Sequence, residues 1–461
     1  MATTLGVSLD DRALAVARDG AVLSVAPGIV RRAGNGVIGS PASDSLRSRP
    51  AEVSARHWNE IAAESAAAAA ALPIAAAELR ARLQGAADAA APEAAWFAVS
   101  AAFTPRALSG VLGVAQSLAL PMRGFVDAAV AAVAPLGLGR PALVLEIGLY
   151  HTAVTAVECG ATVRRRRSIV SRAGGLLDLY QSWLDVVSAA MVLRTRFDPL
   201  HDAAVEQRLF DTVPALSAEA EAGGVASVAL DGPAGERHEV EVTRDQLAAA
   251  AAPRYRELER CVHELRRAGT PVALVVPEAL LALAGLRERL DGLADCELIA
   301  VPDGWAAAVV SQLPAEAAPA DAPVRLLRRL DATTTRPGGD APRHERLGAQ
   351  RNGAADPTHV LYAGRALPLT ARGLTVGRDG NGTDITLPPG SAGVSRRHCT
   401  LLRGREGVEL IDHSRHGSRV NDERVFGRTL LHAGDRLRVG EPGIELALIA
   451  VGADSAQAPS D

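Results

Sequence analysis

The sequence predicts a duplicated α/β domain followed by a separate all-β sandwich. Three observations carry this. Residues 1–312 are alanine-rich and run twice from strand-like alternation into helix-like spacing. Residues 356–452 break into short alternating runs separated by Gly, Asp and Pro turns, with little helical periodicity. Between them, residues 313–355 hold five prolines and the stretch DATTTRPGGDAPRHE, the composition of a disordered linker. The expected boundaries are 1–330 for the first domain (lobes 1–140 and 141–330), 331–355 for the linker, 356–452 for the sandwich and 453–461 for a flexible tail.

In the first domain, residues 5–28 read as strand, turn, strand, turn, strand, and a helix-rich segment covers about 51–90. WFAVSAAF (96–103) is a buried strand, and 105–120 and 125–134 have helical spacing. Residues 141–167 supply two or three strands, and 173–194 a helical region. PVALVVPEAL (271–280) is a strand, LAGLRERLDGL a helix and GWAAAVVSQL (304–313) a final helix.

Composition removes several functions. With 461 residues, 48% hydrophobic and 22% charged, the chain is globular. A net charge of −4 and 3% aromatics give no basis for nucleic-acid binding, by charge or by stacking. Cys159, Cys261, Cys296 and Cys399 lie far apart with no zinc-ribbon spacing, which fits a reducing, cytoplasmic compartment. No charged leader precedes an apolar run. The longest apolar stretch, 128–139, carries Pro135 and two glycines and is too short to span a bilayer, so no membrane span is expected. All 49 basic residues are arginine, as a GC-rich genome would give. Without lysine there is no P-loop lysine, kinase strand lysine or Schiff base.

Within the sandwich, arginine and serine recur at loop positions. Leu374–Gly377 ends at Arg378; a later loop closes on Ser395-Arg396-Arg397-His398; another holds Ser414-Arg415-His416-Gly417-Ser418. Guanidinium forks match phosphate oxygens and hydroxyls add donors, so this end of the sandwich reads as an anion site without catalytic machinery. Histidines 398, 413 and 416 lack a fourth ligand, so no metal is expected.

Gly377-Arg378, then Ser395-x-x-His398, then Gly417-Ser418-x-Val420-Asn421 resemble the forkhead-associated (FHA) domain over about 95 residues. The resemblance implies an eleven-stranded sandwich that binds phosphothreonine peptides through Arg378, Ser395, Arg396, Arg415, His416 and Ser418, with Gly377, His398 and Gly417 bracing the loops. It also implies a phosphothreonine-containing partner and a Ser/Thr kinase upstream. One departure is His416, where the family usually has Asn. The alternative is that Arg378 and Ser395 only hold the loops together.

The first domain resembles the actin-like (ribonuclease-H-like) ATPases, which include heat-shock chaperones and sugar kinases. Residues 6–17 and 145–157 sit at the two phosphate hairpins, 101–134 at the chaperone strand–helix–helix segment, and 275–290 at the adenosine motif. The resemblance implies ATP and magnesium, but the letters depart from it. Ser8 replaces an Asp, and Asp10 and Asp11 replace a Gly-Thr. Glu146 replaces a second Asp; Leu149 follows where a second glycine belongs, after Gly148 and before Thr152. Pro277-Glu278 replaces a Gly-Gly pair. Bare carboxylates repel phosphate unless a metal intervenes, so the expectation is a degenerate nucleotide site, no cofactor and no enzyme. Asp10 and Glu146 otherwise read as solvated turn carboxylates. Thr333, Thr334 and Thr335 are candidate phosphorylation sites, against plain linker polarity.

Three functions remain open: an adaptor reading phosphothreonine, an ATP-hydrolysing chaperone-like enzyme targeted by the sandwich, and a purely structural scaffold.

Overall fold

The computed structural model describes residues 3–33, 36–38, 43–85, 91–233, 235–267, 270–293, 295–314, 324–332, 342–347, 356–378, 380, 382–388, 390–404, 407–421, 423–425, 427–440 and 443–450. Thr333, Thr334 and Thr335 lie outside the described residues. The chain divides into two compact units, Met1–Cys261 with Val272–Leu347, and Val262–Pro271 with Gly348–Asp461.

The first unit contains two sheets of one topology. In the first, β1 (Thr4–Leu9), β2 (Leu14–Arg18) and β3 (Ala21–Ala26) form an antiparallel meander, and β4 (Ala94–Val99) and β5 (Met122–Asp127) add in parallel beside β1, giving β5-β4-β1-β2-β3. In the second, β6 (Ala142–Ile147), β7 (Thr152–Glu158) and β8 (Thr162–Ser171) repeat the meander. There β11 (Val272–Pro277) and β12 (Cys296–Val301) add in parallel beside β6, after the hairpin of β9 (Val225–Asp231) and β10 (Arg237–Thr243). Each central strand is apolar on both faces, as parallel strands covered by helices require.

Helices α1 (His57–Ala62), α2 (Ala68–Gly85) and α3 (Pro105–Ser117) cover one face of the first sheet through Trp58, Ile61, Leu79, Leu108 and Val111. The small-residue helices α4 (Ala128–Val133) and α9 (Trp305–Val310) join both sheets: Ala131 and Val309 belong to one core with Val144, Val275 and Ile299. Alanine permits this close approach. Residues 125–127, read as helical from sequence, complete β5; Asp127 then caps α4 by accepting from the Ala129 and Val130 N–H groups. Helices α5 (Leu176–Thr195), α6 (Ala203–Gly223), α7 (Arg244–Leu265, as far as Cys261) and α8 (Leu286–Asp291) complete the unit. Helix α5 is long and apolar enough to cross a bilayer, which the run-length reading missed because Asp178 and Asp185 interrupt the run. Its Leu179, Trp183, Leu184, Val187 and Met191 are buried inside the unit, and Trp183 Nε1 donates to the Leu247 carbonyl at 2.9 Å.

Leu326–Leu327 returns to the first sheet beside β5, within the expected bounds of the first domain. One finding departs from those bounds. Arg343–Leu347, inside the stretch read as linker, pairs antiparallel with β12. An edge strand needs only backbone partners, so its charged sequence gave no apolar signal.

The second unit is a sandwich of eleven described strands: β13 (His359–Tyr362), β14 (Arg365–Pro368), β15 (Leu374–Gly377), β16 (Ile385–Thr386), β17 (Cys399–Arg403), β18 (Val408–Asp412), β19 (Ser418–Val420), β20 (Glu423–Arg424), β21 (Arg428–Leu431), β22 (Arg436–Val439) and β23 (Ile444–Ile449). One sheet runs β14-β13-β23-β22-β19-β20 and the other β16-β15-β17-β18-β21. Alternate residues of both, including Val376, Leu401 and Leu410 against Val360, Leu437 and Leu446, form one buried core.

Candidate functional site

The sequence-predicted residues fall into two clusters, one in each unit. In the sandwich, β15 ends at Arg378, whose backbone N–H donates to the Ser395 carbonyl at 3.3 Å. Gly377 allows this: a Cβ there would be driven into the Arg396 carbonyl. The Ser395 hydroxyl oxygen accepts from the Arg415 N–H at 3.3 Å. Three loops therefore meet at one serine. Its oxygen is engaged as an acceptor, which leaves its O–H free to donate outward. Arg378, Arg396, Arg415 and His416 are exposed around it.

His398 holds this arrangement from inside. It is fully buried. The Ser395 N–H donates to Nδ1 at 3.1 Å, so the ring proton resides on Nε2, which donates to the Gly417 carbonyl at 3.3 Å. One imidazole thus ties the 395 loop to the 417 loop. Burial pushes its pKa down, against the hydrogen bond to Gly417 and the charge of Asp412, and keeps the ring neutral. Gly417, at φ 86°, donates its N–H to the Ser414 hydroxyl oxygen at 2.7 Å.

Ser418 is a correction. It is fully buried, and its hydroxyl donates to Asp412 Oδ1 at 3.0 Å, so it braces the loop and cannot reach a ligand. Its alternation with buried Val420 on β19 was the available signal. Asp412 and Ser414 were missed. Asp412 accepts from the Ser414 N–H at 3.3 Å as well as from Ser418, and the Asp-x-Ser spacing is the local turn pattern that marks such a residue.

In the first unit, the β1–β2 and β6–β7 turns face each other across a cleft lined by Ser8, Asp10, Arg12, Ser100, Glu146, His151, Asp303 and Trp305 among others. Asp11 Oδ1 accepts from the Leu149 N–H at 2.8 Å, which binds the two turns directly together. Gly148 makes room for this contact, since a Cβ there would overlap Asp11 and His151. Burial raises the Asp11 pKa, with the charge of His151 opposing it. Arg12 is clamped between Asp303 at 2.7 Å and Asp10 at 3.3 Å; burial disfavours its charge, and the two carboxylates more than offset that. Glu146 is not a solvated turn carboxylate. It accepts from the Ser100 hydroxyl at 2.6 Å, and burial pushes its pKa up to about 8. Asp10 likewise is held by Arg12. Ser8 is buried, and the buried Thr152 donates to the Gly174 carbonyl at 3.0 Å. Arg12, Ser100, His151 and Asp303 were not singled out from sequence; Asp303 lies 291 residues from Arg12, and no local pattern links them. Among the described residues, no group of His, Cys, Asp or Glu could hold a metal ion.

No curated protein matches the chain. Residues 374–440, which carry Arg378, Ser395, His398 and Arg415, match the FHA domain family, so the C-terminal unit contains an FHA domain, a module that binds phosphothreonine-containing proteins.

Proposed function

We propose that this chain is a phosphothreonine-reading adaptor: the FHA module docks a phosphorylated partner, and the N-terminal unit is a catalytically silent actin-like scaffold that offers an interaction surface. The observation that carries the first half is the meeting of Arg378, Ser395 and Arg415 at one point, with the serine O–H turned to donation. A phosphate ester brings close to two negative charges and three acceptor oxygens, which guanidinium forks and a hydroxyl complement. A Ser/Thr kinase would supply the mark in the cytoplasm.

The actin-like reading draws on the repeated strand order and on the paired turns. The silent reading draws on their chemistry. A triphosphate between the turns would face Asp10, Asp11, Glu146 and Asp303, while Arg12 is already neutralised by two of them. The Asp11–Leu149 bond ties together the two turns that a phosphate tail would lie between in the actin-like reading. The acidic lining and the bridged turns support a silent site over one that holds ATP with magnesium.

The test is capture of a phosphopeptide library on the full chain and on its Arg378→Ala variant. Selective retention of phosphothreonine peptides, lost in the variant, supports the adaptor reading. Equal retention by both, or none by either, refutes it. Titration with ATP, with and without magnesium, addresses the scaffold: micromolar affinity with turnover would establish a targeted ATPase instead.

A further inference from the structure

Three arginines sit on the loops that meet at one serine. Arg378 is anchored through its backbone to the Ser395 carbonyl, Arg396 is the next residue in the chain, and Arg415 is anchored to the Ser395 hydroxyl. All three are exposed, and none forms an ion pair among the described residues. Elsewhere on the module, Arg403 lies near Asp356, Arg428 near Glu409 and Arg436 near Glu445. Among the described residues Arg365, Arg372 and Arg397 also lack an ion pair: Arg365 opens β14, Arg372 precedes β15 at the opposite end of that strand from Gly377, and Arg397 donates to the Thr400 hydroxyl at 3.3 Å. Asp412, at the end of β18, accepts from the Ser414 N–H and the Ser418 hydroxyl.

The charges do not balance for a singly phosphorylated ligand. A phosphothreonine carries about −1.5 to −2 at neutral pH, against the three positive charges of Arg378, Arg396 and Arg415. Roughly one guanidinium is left without a counter-charge once the phosphate is seated, and an exposed arginine fork takes a second carboxylate or phosphate in bidentate geometry. We infer that this site takes a phosphothreonine peptide bearing a second anionic group beside the phosphate, either an acidic residue or another phosphate. The inference rests on the phosphothreonine reading and narrows it to a class of partner.

The experiment uses the full chain and fluorescence anisotropy on four peptides of one length: a single phosphothreonine with neutral flanks, the same with two glutamates flanking it, the same with a second phosphothreonine, and the glutamate peptide without phosphate. The expected result is that one or both doubly anionic phosphopeptides bind about five-fold tighter or better than the neutral-flank peptide, a gain equivalent to about 1 kcal/mol. The gain shrinks as salt rises from 50 to 300 mM by the ordinary screening of exposed charge. In Arg396→Ala or Arg415→Ala, checked for an unchanged melting profile, the ratio of anionic-flank to neutral-flank affinity falls toward one. Equal affinity for neutral and anionic flanks overturns the inference and leaves the phosphothreonine reading standing. Failure of every phosphopeptide to bind overturns both. Tight binding of the unphosphorylated glutamate peptide also overturns the inference, since the arginines would then form a general polyanion patch.

Discussion

Replacing His398 by alanine should loosen two loops at once while leaving the N-terminal unit untouched. The imidazole is fully buried and is hydrogen-bonded to two backbone groups, the Ser395 N–H at 3.1 Å and the Gly417 carbonyl at 3.3 Å. Removing it strands both. A buried polar group left unpaired costs about 1–3 kcal/mol, so the two together predict roughly 2–6 kcal/mol. All four tryptophans, Trp58, Trp96, Trp183 and Trp305, lie in the first unit, so tryptophan fluorescence follows that unit alone. Hydrogen exchange followed by mass spectrometry reports the loops. At the lower end of that range, exchange in the segments holding Ser395 and Arg415 should accelerate by roughly 30-fold, since each 1.4 kcal/mol is a factor of ten. The tryptophan melt should not move. Acceleration in one segment only, or in neither, would refute the bracing argument.

His398 also sets a pH dependence. Its folded pKa lies below the ordinary value near 6.5, so the unfolded chain takes up the proton first. Module stability should hold above about pH 6.5, fall as pH drops below it, and lose that slope in His398→Phe; a slope unchanged in the variant would assign it elsewhere. Glu146 acts in the first unit with a raised pKa near 8. Stability should therefore decline as pH rises from about 4.5 to 8, and Glu146→Gln should melt higher than wild type by a margin that grows over that window in thermal scans. Glu78 is fully buried and accepts from Trp58 Nε1 at 2.7 Å and from the Arg82 guanidinium at 2.6 Å; it also contacts His57 Nε2 at 2.7 Å. Glu78→Leu would leave a buried Arg82 without its carboxylate and should cost about 3–5 kcal/mol, read by denaturant unfolding of tryptophan fluorescence. Gly148→Ala should break the Asp11–Leu149 contact and lower the same melting transition, whereas Gly139→Ala, with open space at its Cβ, should not.

The sandwich was legible because its signals are local. Gly377-Arg378 and Ser395-x-x-His398 each occupy one turn, and short alternation with Gly and Pro breaks marks strands directly. The pattern did not distinguish a residue beside the ligand from one beneath it: Ser418 sits in the motif yet points inward with Val420. In the first unit, both meanders were readable as alternation. Strand β12 went unread, as did helices α6 and α7, whose apolar faces are diluted by alanine and charge. The cleft was the least legible part. Arg12 and Asp303 meet only because the fold brings the segment after β12 beside the β1–β2 turn, and the burial that perturbs Glu146 is a property of the assembled sheets. Carboxylates read as solvated from their turn positions are instead held by Arg12 and Ser100.

The central claim is that a guanidinium from one turn and a hydroxyl from another grip the same phosphate. A double-mutant cycle on Arg378→Ala and Ser395→Ala, with affinity for a phosphothreonine peptide and its unphosphorylated twin as the readout, addresses it directly. The account predicts that each single change weakens phosphopeptide binding about ten-fold or more. It also predicts a coupling of about 0.5 kcal/mol or greater and no effect on the unphosphorylated twin. Losses that simply add, or that are the same for both peptides, would contradict it.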